Sequence, residues 1–450
     1  MRSFAALAPL VLMASASLVD ALPAPVRVEG VVPSVTNADG SINDELLKRN
    51  MEATFAKYDE RATGSSALKV KRRGAGKCKR AASSASLTLV QSGNAQTLYT
   101  ANVKIGSPAQ ILPVLIDTGS SDLFVQTNGK TGTANFISAA SSTFTDAGRN
   151  ATLHFVSDSV TGEVVTDTVS LGGVNVPNQS FLVVEDANSA ETSGNLGLSL
   201  AAQASKQIGT SFLESVRASG QLGELNKFAL YLPRDGNRAE LTFGGISSAS
   251  NGRFASKIQV MYPAQLGRAS PFLLPSFGLE LTPSFAQWAI PLSIIFDNSG
   301  KAVWDATGTT HIAAAFVDSG SSVSYIPRAA AKAAHEAIPG AVRYNTTQVP
   351  LNGAVYDVDQ YLIPCDSTAT FGLGFDGVRR RNFDLDPRDT RFPFNENGVC
   401  QSSWFGVDIA YNGIPASIIG VPFLRSWYGI FNPGSANNLG AYIMFAPAPQ

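Results

Sequence analysis

From Leu87 onward, short runs of Val, Ile, Phe and Leu alternate with clusters of Gly, Asn, Asp and Ser. Strands joined by tight turns give that pattern. The clearest runs are residues 153–156, 164–171, 228–232, 241–243 and 371–375. Two stretches have a different period: residues 211–219 and the Ala-rich 328–337 are expected to be short helices. The expected fold class is therefore all-β with a few short helices.

The apolar pattern contains no short-period repeat, but it echoes once at long range. Ile111-Leu-Pro-Val-Leu-Ile runs into Asp117-Thr118-Gly119-Ser120-Ser121, and Ala313-Ala-Ala-Phe-Val runs into Asp318-Ser319-Gly320-Ser321-Ser322. An acid placed straight after a buried-type strand is costly unless it is hydrogen-bonded or paired. The glycine two residues later permits a sharp turn and a close backbone approach. The neighbouring hydroxyls can donate to a carboxylate and fix its orientation. Two such elements about 200 residues apart point to one site shared across a pseudo-twofold axis. Carboxyls that share a site cannot both ionise easily, so the pair holds one proton. The ionised member can then take a proton from a water between them while the protonated member hydrogen-bonds a substrate carbonyl.

Chain length and charge extend this picture at both ends. A chain of 450 residues exceeds one compact core and fits two lobes. Charged residues are only 15% of the chain and the net charge is −1, which excludes an electrostatic footprint for nucleic acid. Arg2, the apolar run that follows it and the small residues around Asp20 have the form of a signal peptide over residues 1–21. A membrane anchor is the competing reading, but the run is short and ends in Asp20 and prolines. Residues 22–80 hold 12 Lys and Arg against 7 Asp and Glu, a net of +5, while residues 81–450 carry −6. A cationic leader before an anionic body fits a pro-segment held partly by charge, the alternative being a disordered basic linker. Lys79-Arg80 is the expected processing point. The remaining division is an N-terminal β-lobe over 81–240 and a C-terminal β-lobe over 241–450.

With these residues in view, the chain from Leu98 to Phe445 resembles the pepsin family of aspartic peptidases. The likeness runs through Ile105-Gly-Ser-Pro-Ala-Gln110, the two acid loops, Gly194-Asn-Leu-Gly-Leu198, Leu241-Thr-Phe-Gly-Gly245, Ile418-Ile-Gly-Val-Pro-Phe-Leu424 and Trp427-Tyr-Gly-Ile-Phe431. The resemblance implies a bilobed fold with a long cleft that binds extended peptide by backbone pairing. It makes Asp117 and Asp318 the catalytic pair, supported by Gly119 and Gly320. Thr118 and Ser319 would brace the loops against each other, and Ser120 and Ser321 would bond the outer carboxylate oxygens. It pairs Cys365 with Cys400, since Cys78 lies in the leader. It implies no metal and no organic cofactor, and substrates that are peptides or proteins. The further expectations are inhibition by the chain's own pro-segment, a monomer, and no nucleic-acid or membrane partner.

Departures from the family's pattern concern the hairpin that closes over the substrate. Phe155 occupies a tyrosine position, Val156 and Asp158 flank Ser157 where glycines are usual, and Phe124 replaces a tryptophan. The family's tyrosine and tryptophan hydrogen-bond each other, so two phenyl rings remove donor and acceptor together. The flap is then altered but working, or disabled. Asn195 stands where the family has an apolar residue lining the pocket for the side chain before the cut. It either weakens preference for large apolar side chains or is satisfied locally. Asn150, Asn178 and Asn345 begin glycosylation sequons. The charged stretch containing Arg379-Arg-Arg381, Asp384, Asp386, Arg388, Asp389 and Arg391 has the character of a solvated turn surface. The expected function is an exported, acid-working endopeptidase made as a zymogen, extracellular or in an acidic vacuole. The alternative is a pepsin-shaped binding protein that has lost catalysis.

Overall fold

The computed structural model describes residue 51 and residues 83–92, 96–129, 134–154, 159–185, 192–200, 207–223, 225–246, 256–259, 287–306, 313–351, 354–375, 383–392, 398–411, 414–434 and 441–448. Within these residues the chain is an all-β, bilobed protein built on two large sheets, one of 13 strands and one of 12.

In each half one strand is threaded between the two arms of an acid loop. Gln110–Asp117 lies parallel to Gly194–Gly197, which itself pairs antiparallel with Leu123–Gln126. The second half repeats the device: Ala313–Val317 lies parallel to Ile414–Ile419, and that strand meets Ser324–Ile326 antiparallel. Strands flanked on both sides and covered on both faces must be apolar throughout. Accordingly Ala313, Ala315 and Val317 enter the main core, while Ala314 and Phe316 enter a second cluster with Tyr325, Phe405 and Ile418. That alternation is what the two-residue strand period requires.

The two halves share a platform. Phe228–Tyr231 pairs with Glu240–Phe243, which pairs with Ser83–Ser92. On its other edge Phe228–Tyr231 takes Trp427–Asn432, followed by Tyr442–Pro447 and Ser256–Gln259. The first and last strands of the described fold therefore sit in one sheet, and the expected boundary at 240/241 falls inside the strand Glu240–Phe243. At its centre the rings of Phe228 and Phe431 stack at 4.9 Å, with Trp288 edge-on to both.

Both expected helices form. Phe212–Ala218 is capped by Ser211, whose side chain accepts the Glu214 N–H, and Arg328–Glu336 buries its alanine face. The segment 418–424 changes conformation at Gly420. The strand ends at Ile419 and Val421–Ser426 is a helix. Pro422 lies in its first turn, where a missing N–H costs nothing. Cys365 and Cys400 form a disulfide that ties the end of Ala354–Pro364 to Val399–Gln401.

Candidate active site

Each acid sits at the end of an apolar strand and is buried, Asp117 1% exposed and Asp318 fully covered. The loops that follow are cross-wired. Thr118 Oγ1 donates to the Val317 carbonyl at 2.9 Å and Ser319 Oγ donates to the Ile116 carbonyl at 2.8 Å. In return the Thr118 N–H donates to Ser319 Oγ and the Ser319 N–H to Thr118 Oγ1. These four bonds satisfy buried groups in both halves and fix the loops as one unit. The bracing expected of Thr118 and Ser319 is thus visible atom by atom.

Gly119 marks where the second acid meets the loop of the first. A Cβ built there would lie 2.5 Å from Asp318 Cγ, so the Asp318 carboxyl rests on the Asp117 loop in space that only glycine leaves open. The Gly119 N–H donates to Asp117 Oδ1 at 2.9 Å, and the Gly320 N–H to Asp318 Oδ1 at 2.8 Å. Ser120 Oγ donates to Asp117 Oδ2 as expected. Ser321 does not follow the same expectation. Its hydroxyl donates to the Val323 carbonyl at 2.8 Å. The reason is local, because the loop returns Val323 O within reach of the serine two residues earlier.

Asn195 is hydrogen-bonded locally. Its Nδ2 donates to Ser120 Oγ at 2.9 Å. Phe124 is its cross-strand partner and packs with Ala151, Val160, Val164, Leu182, Val184 and Ile208. The hairpin strands Thr145–His154 and Ser159–Leu171 pair as far as His154 opposite Ser159. Phe155, Val156, Ser157 and Asp158 lie outside the described residues, as do Cys78, Lys79-Arg80 and Arg379-Arg-Arg381. Of the sequon asparagines, Asn150 and Asn178 are exposed, while Asn345 is half-buried and its amide donates to Thr347.

One network was missed in the sequence. Asp389, expected on a solvated surface, is buried and receives Arg234 Nε at 2.7 Å, Arg234 Nη2 at 2.5 Å and the Ser426 hydroxyl. Burial pushes its carboxyl up, against the pull of Arg234. The partner lies 155 residues away, so no local pattern marks the pair. Nearby, Arg425 Nε reaches Tyr99 Oη, which donates to the Pro233 carbonyl. His335 is also buried, with Nδ1 2.7 Å from the Ala331 carbonyl, Nε2 2.8 Å from Ser402 Oγ, and its ring stacked on Tyr361. Burial holds its basicity down to about 4. Among the described residues no cluster of His, Cys, Asp or Glu has the arrangement of a metal site. Nor is any described helix long and apolar enough to cross a membrane.

Comparison with known proteins agrees with this geometry. The model of a family described as eukaryotic aspartyl protease matches residues 98–442. The chain is 26% identical to gastricsin of Callithrix jacchus, covering 76% of this chain and 80% of the relative. It is 25% identical to major aspartyl peptidase 1 of Cryptococcus neoformans var. grubii, covering 79% and 71%. It is 27% identical to vacuolar protease A of Arthroderma otae, covering 76% of each.

Proposed function

The chain belongs to the eukaryotic aspartyl protease family and is an aspartic-type endopeptidase, and from that premise we propose that Asp117 and Asp318 are its catalytic pair. The observation that carries this assignment is the contact of the Asp318 carboxyl with Gly119, two residues after the other acid. Two carboxyls that meet in one site share one proton, because ionising both would place like charges side by side. A water between them loses a proton to the ionised member and attacks the substrate carbonyl. The protonated member donates to the carbonyl oxygen, and the proton returns to the leaving amine. Thr118 and Ser319 keep the acids in register, and Gly119 and Gly320 supply backbone N–H groups that hold the carboxylate planes. An extended peptide lies in the cleft beside the paired strands Thr145–His154 and Ser159–Leu171, and the sequence between those strands, Phe155, Val156, Ser157 and Asp158, supplies the substrate-binding flap residues.

The zymogen reading extends this proposal to the leader. Residues 1–21 direct export, residues 22–80 are an inhibitory pro-segment, and cleavage follows Arg80. Its support is twofold: the leader's net +5 against the body's −6, and Met51. Met51 is completely buried, in the cluster of Phe316, Tyr325, Phe405 and Ile418. A leader residue thus packs into the second half of the molecule. Acidification protonates carboxylates of the body and loosens its grip on the cationic leader. The product acts as a monomer outside the cell or in an acidic vacuole, with glycan at the exposed Asn150 and Asn178.

The test is to express residues 22–450, acidify, and follow mass and cleavage of a denatured protein. A mass drop to a start near Ala81 with concurrent cleavage is expected. Asp117→Asn and Asp318→Asn should each lower kcat by at least ~1,000-fold. Retention of cleavage in either variant would sink the catalytic assignment. No cleavage by the processed wild-type protein at any acidic pH would favour a binding protein instead.

A further inference from the structure

We propose that Asn195 is a positioning residue for the Asp117 carboxyl: its amide holds the Ser120 hydroxyl so that the hydroxyl's single hydrogen is spent on Asp117, keeping that acid the ionised member of the pair. The inference rests on the assignment of Asp117 and Asp318 as the catalytic pair and adds a residue and a direction to it.

Hydrogen-bond chemistry fixes the direction. The Asn195 nitrogen can only donate, and it lies 2.9 Å from Ser120 Oγ. Ser120 therefore accepts on that side and has one hydrogen left to give, to Asp117 Oδ2. The other oxygen, Oδ1, takes the Gly119 N–H. A donor whose own oxygen is already accepting is the stronger donor, so the chain from Asn195 through Ser120 to Asp117 favours negative charge at its end. The opposite orientation would need an Asp117 that carries the proton and gives it to Ser120. The amide's orientation and the acid's protonation are thus coupled.

The second half of the molecule supplies the control. In the first half Leu115 pairs with Asn195 and Asp117 with Gly197. In the second, Phe316 pairs with Ile418 and Val317 with Ile419. By register Ile418 is the counterpart of Asn195, and an isoleucine donates nothing. There the Ser321 hydroxyl donates to the Val323 carbonyl. The same motif therefore carries a relay on one side only, and the residue that differs is the one behind the serine. Asn195 is 7% exposed and its cross-strand neighbour is the apolar Phe124. An amide so placed is costly unless bonded, and Ser120 is the partner that accepts its hydrogen.

The experiment uses the full-length, acid-processed enzyme and a peptide substrate. Asn195→Leu should lower kcat about tenfold with KM nearly unchanged. The acidic limb of its kcat/KM profile should move up by about one pH unit, because Asp117 then protonates more readily. Ser120→Ala should shift both in the same direction, and adding Asn195→Leu to it should change neither further. Should the leucine variant not fold, the isosteric Asn195→Asp must move the limb the same way. A change in KM or side-chain preference with the limb unmoved would overturn the proposal, as would additive effects in the double variant. Inactive Asp117→Asn and Asp318→Asn beside a wild-type Asn195→Leu profile would remove the positioning role alone. Activity in those aspartate variants would remove the catalytic assignment beneath it.

Discussion

Asp117 and Asp318 leave their strands in the same way. Each loop returns a glycine N–H to its own carboxylate, at 2.9 and 2.8 Å, and each crosses a threaded strand at a second glycine, Gly197 or Gly420. A Cβ on Gly197 would collide with the backbone of Ser120, Ser121 and Asp122, and one on Gly420 with the backbone of Ser321 and Val323. The loops part company one atom further out. Ser120 turns its hydroxyl to the acid and has Asn195 behind it, whereas Ser321 turns to a neighbouring carbonyl. A repeated backbone does not enforce a repeated hydroxyl rotor. The orientation is set by whichever donor or acceptor stands next to it, and one residue can make two like loops electrically unlike.

The largest effect should come from attacking what the loops share. Gly119→Ala places a methyl against the Asp318 carboxyl and must displace that carboxyl from the Asp117 loop. Misplacement on the scale of an ångström costs about a hundredfold, so kcat/KM should fall at least that far in steady-state assays. Activity within tenfold of wild type would mean that the acids do not need this spacing.

A difference between the halves in acid should come next. His335 is buried in the second lobe and its folded value of about 4 lies below the ordinary 6.5. Above pH 6.5 both folded and unfolded chains leave the imidazole neutral. As pH falls through that value the unfolded chain gains a proton that the fold refuses, and stability drains until about pH 4. The loss amounts to about 3 kcal/mol. Denaturant unfolding of His335→Gln at neutral pH and at pH 4 should show that variant losing less on acidification than wild type. Parallel losses would break the assignment.

The smallest and most discriminating comparison is between the serines. Ser120→Ala removes a bond to a charged acceptor, about 1.5–3 kcal/mol, and should appear in kcat and the pH profile. Ser321→Ala removes a bond between neutral groups, about 1 kcal/mol, and should appear in stability with the pH profile unmoved. Equal effects on the profile would restore the symmetry that the structure denies.

The acid loops were legible because their chemistry is written in consecutive residues. The helices at Phe212–Ala218 and Arg328–Glu336 were legible from periodicity, and the disulfide from two cysteines left over in the body of the chain. What escaped depends on partners far away in sequence. The polar partner of Asn195 is 75 residues distant, and the burial of Asp389 follows from Arg234, 155 residues distant. The helix Val421–Ser426 was hidden for another reason: it is buried all round, so its apolar run carries no helical stripe.

The placement of the last two strands has a consequence for biosynthesis. Trp427–Asn432 and Tyr442–Pro447 complete the sheet begun by Ser83–Ser92 and Phe228–Tyr231. Ribosomes deliver the first half long before those strands exist, so its open edge waits, unpaired and prone to sticking, until the final residues emerge. A nascent chain stalled anywhere before Trp427 lacks the edge that would let its first half finish folding.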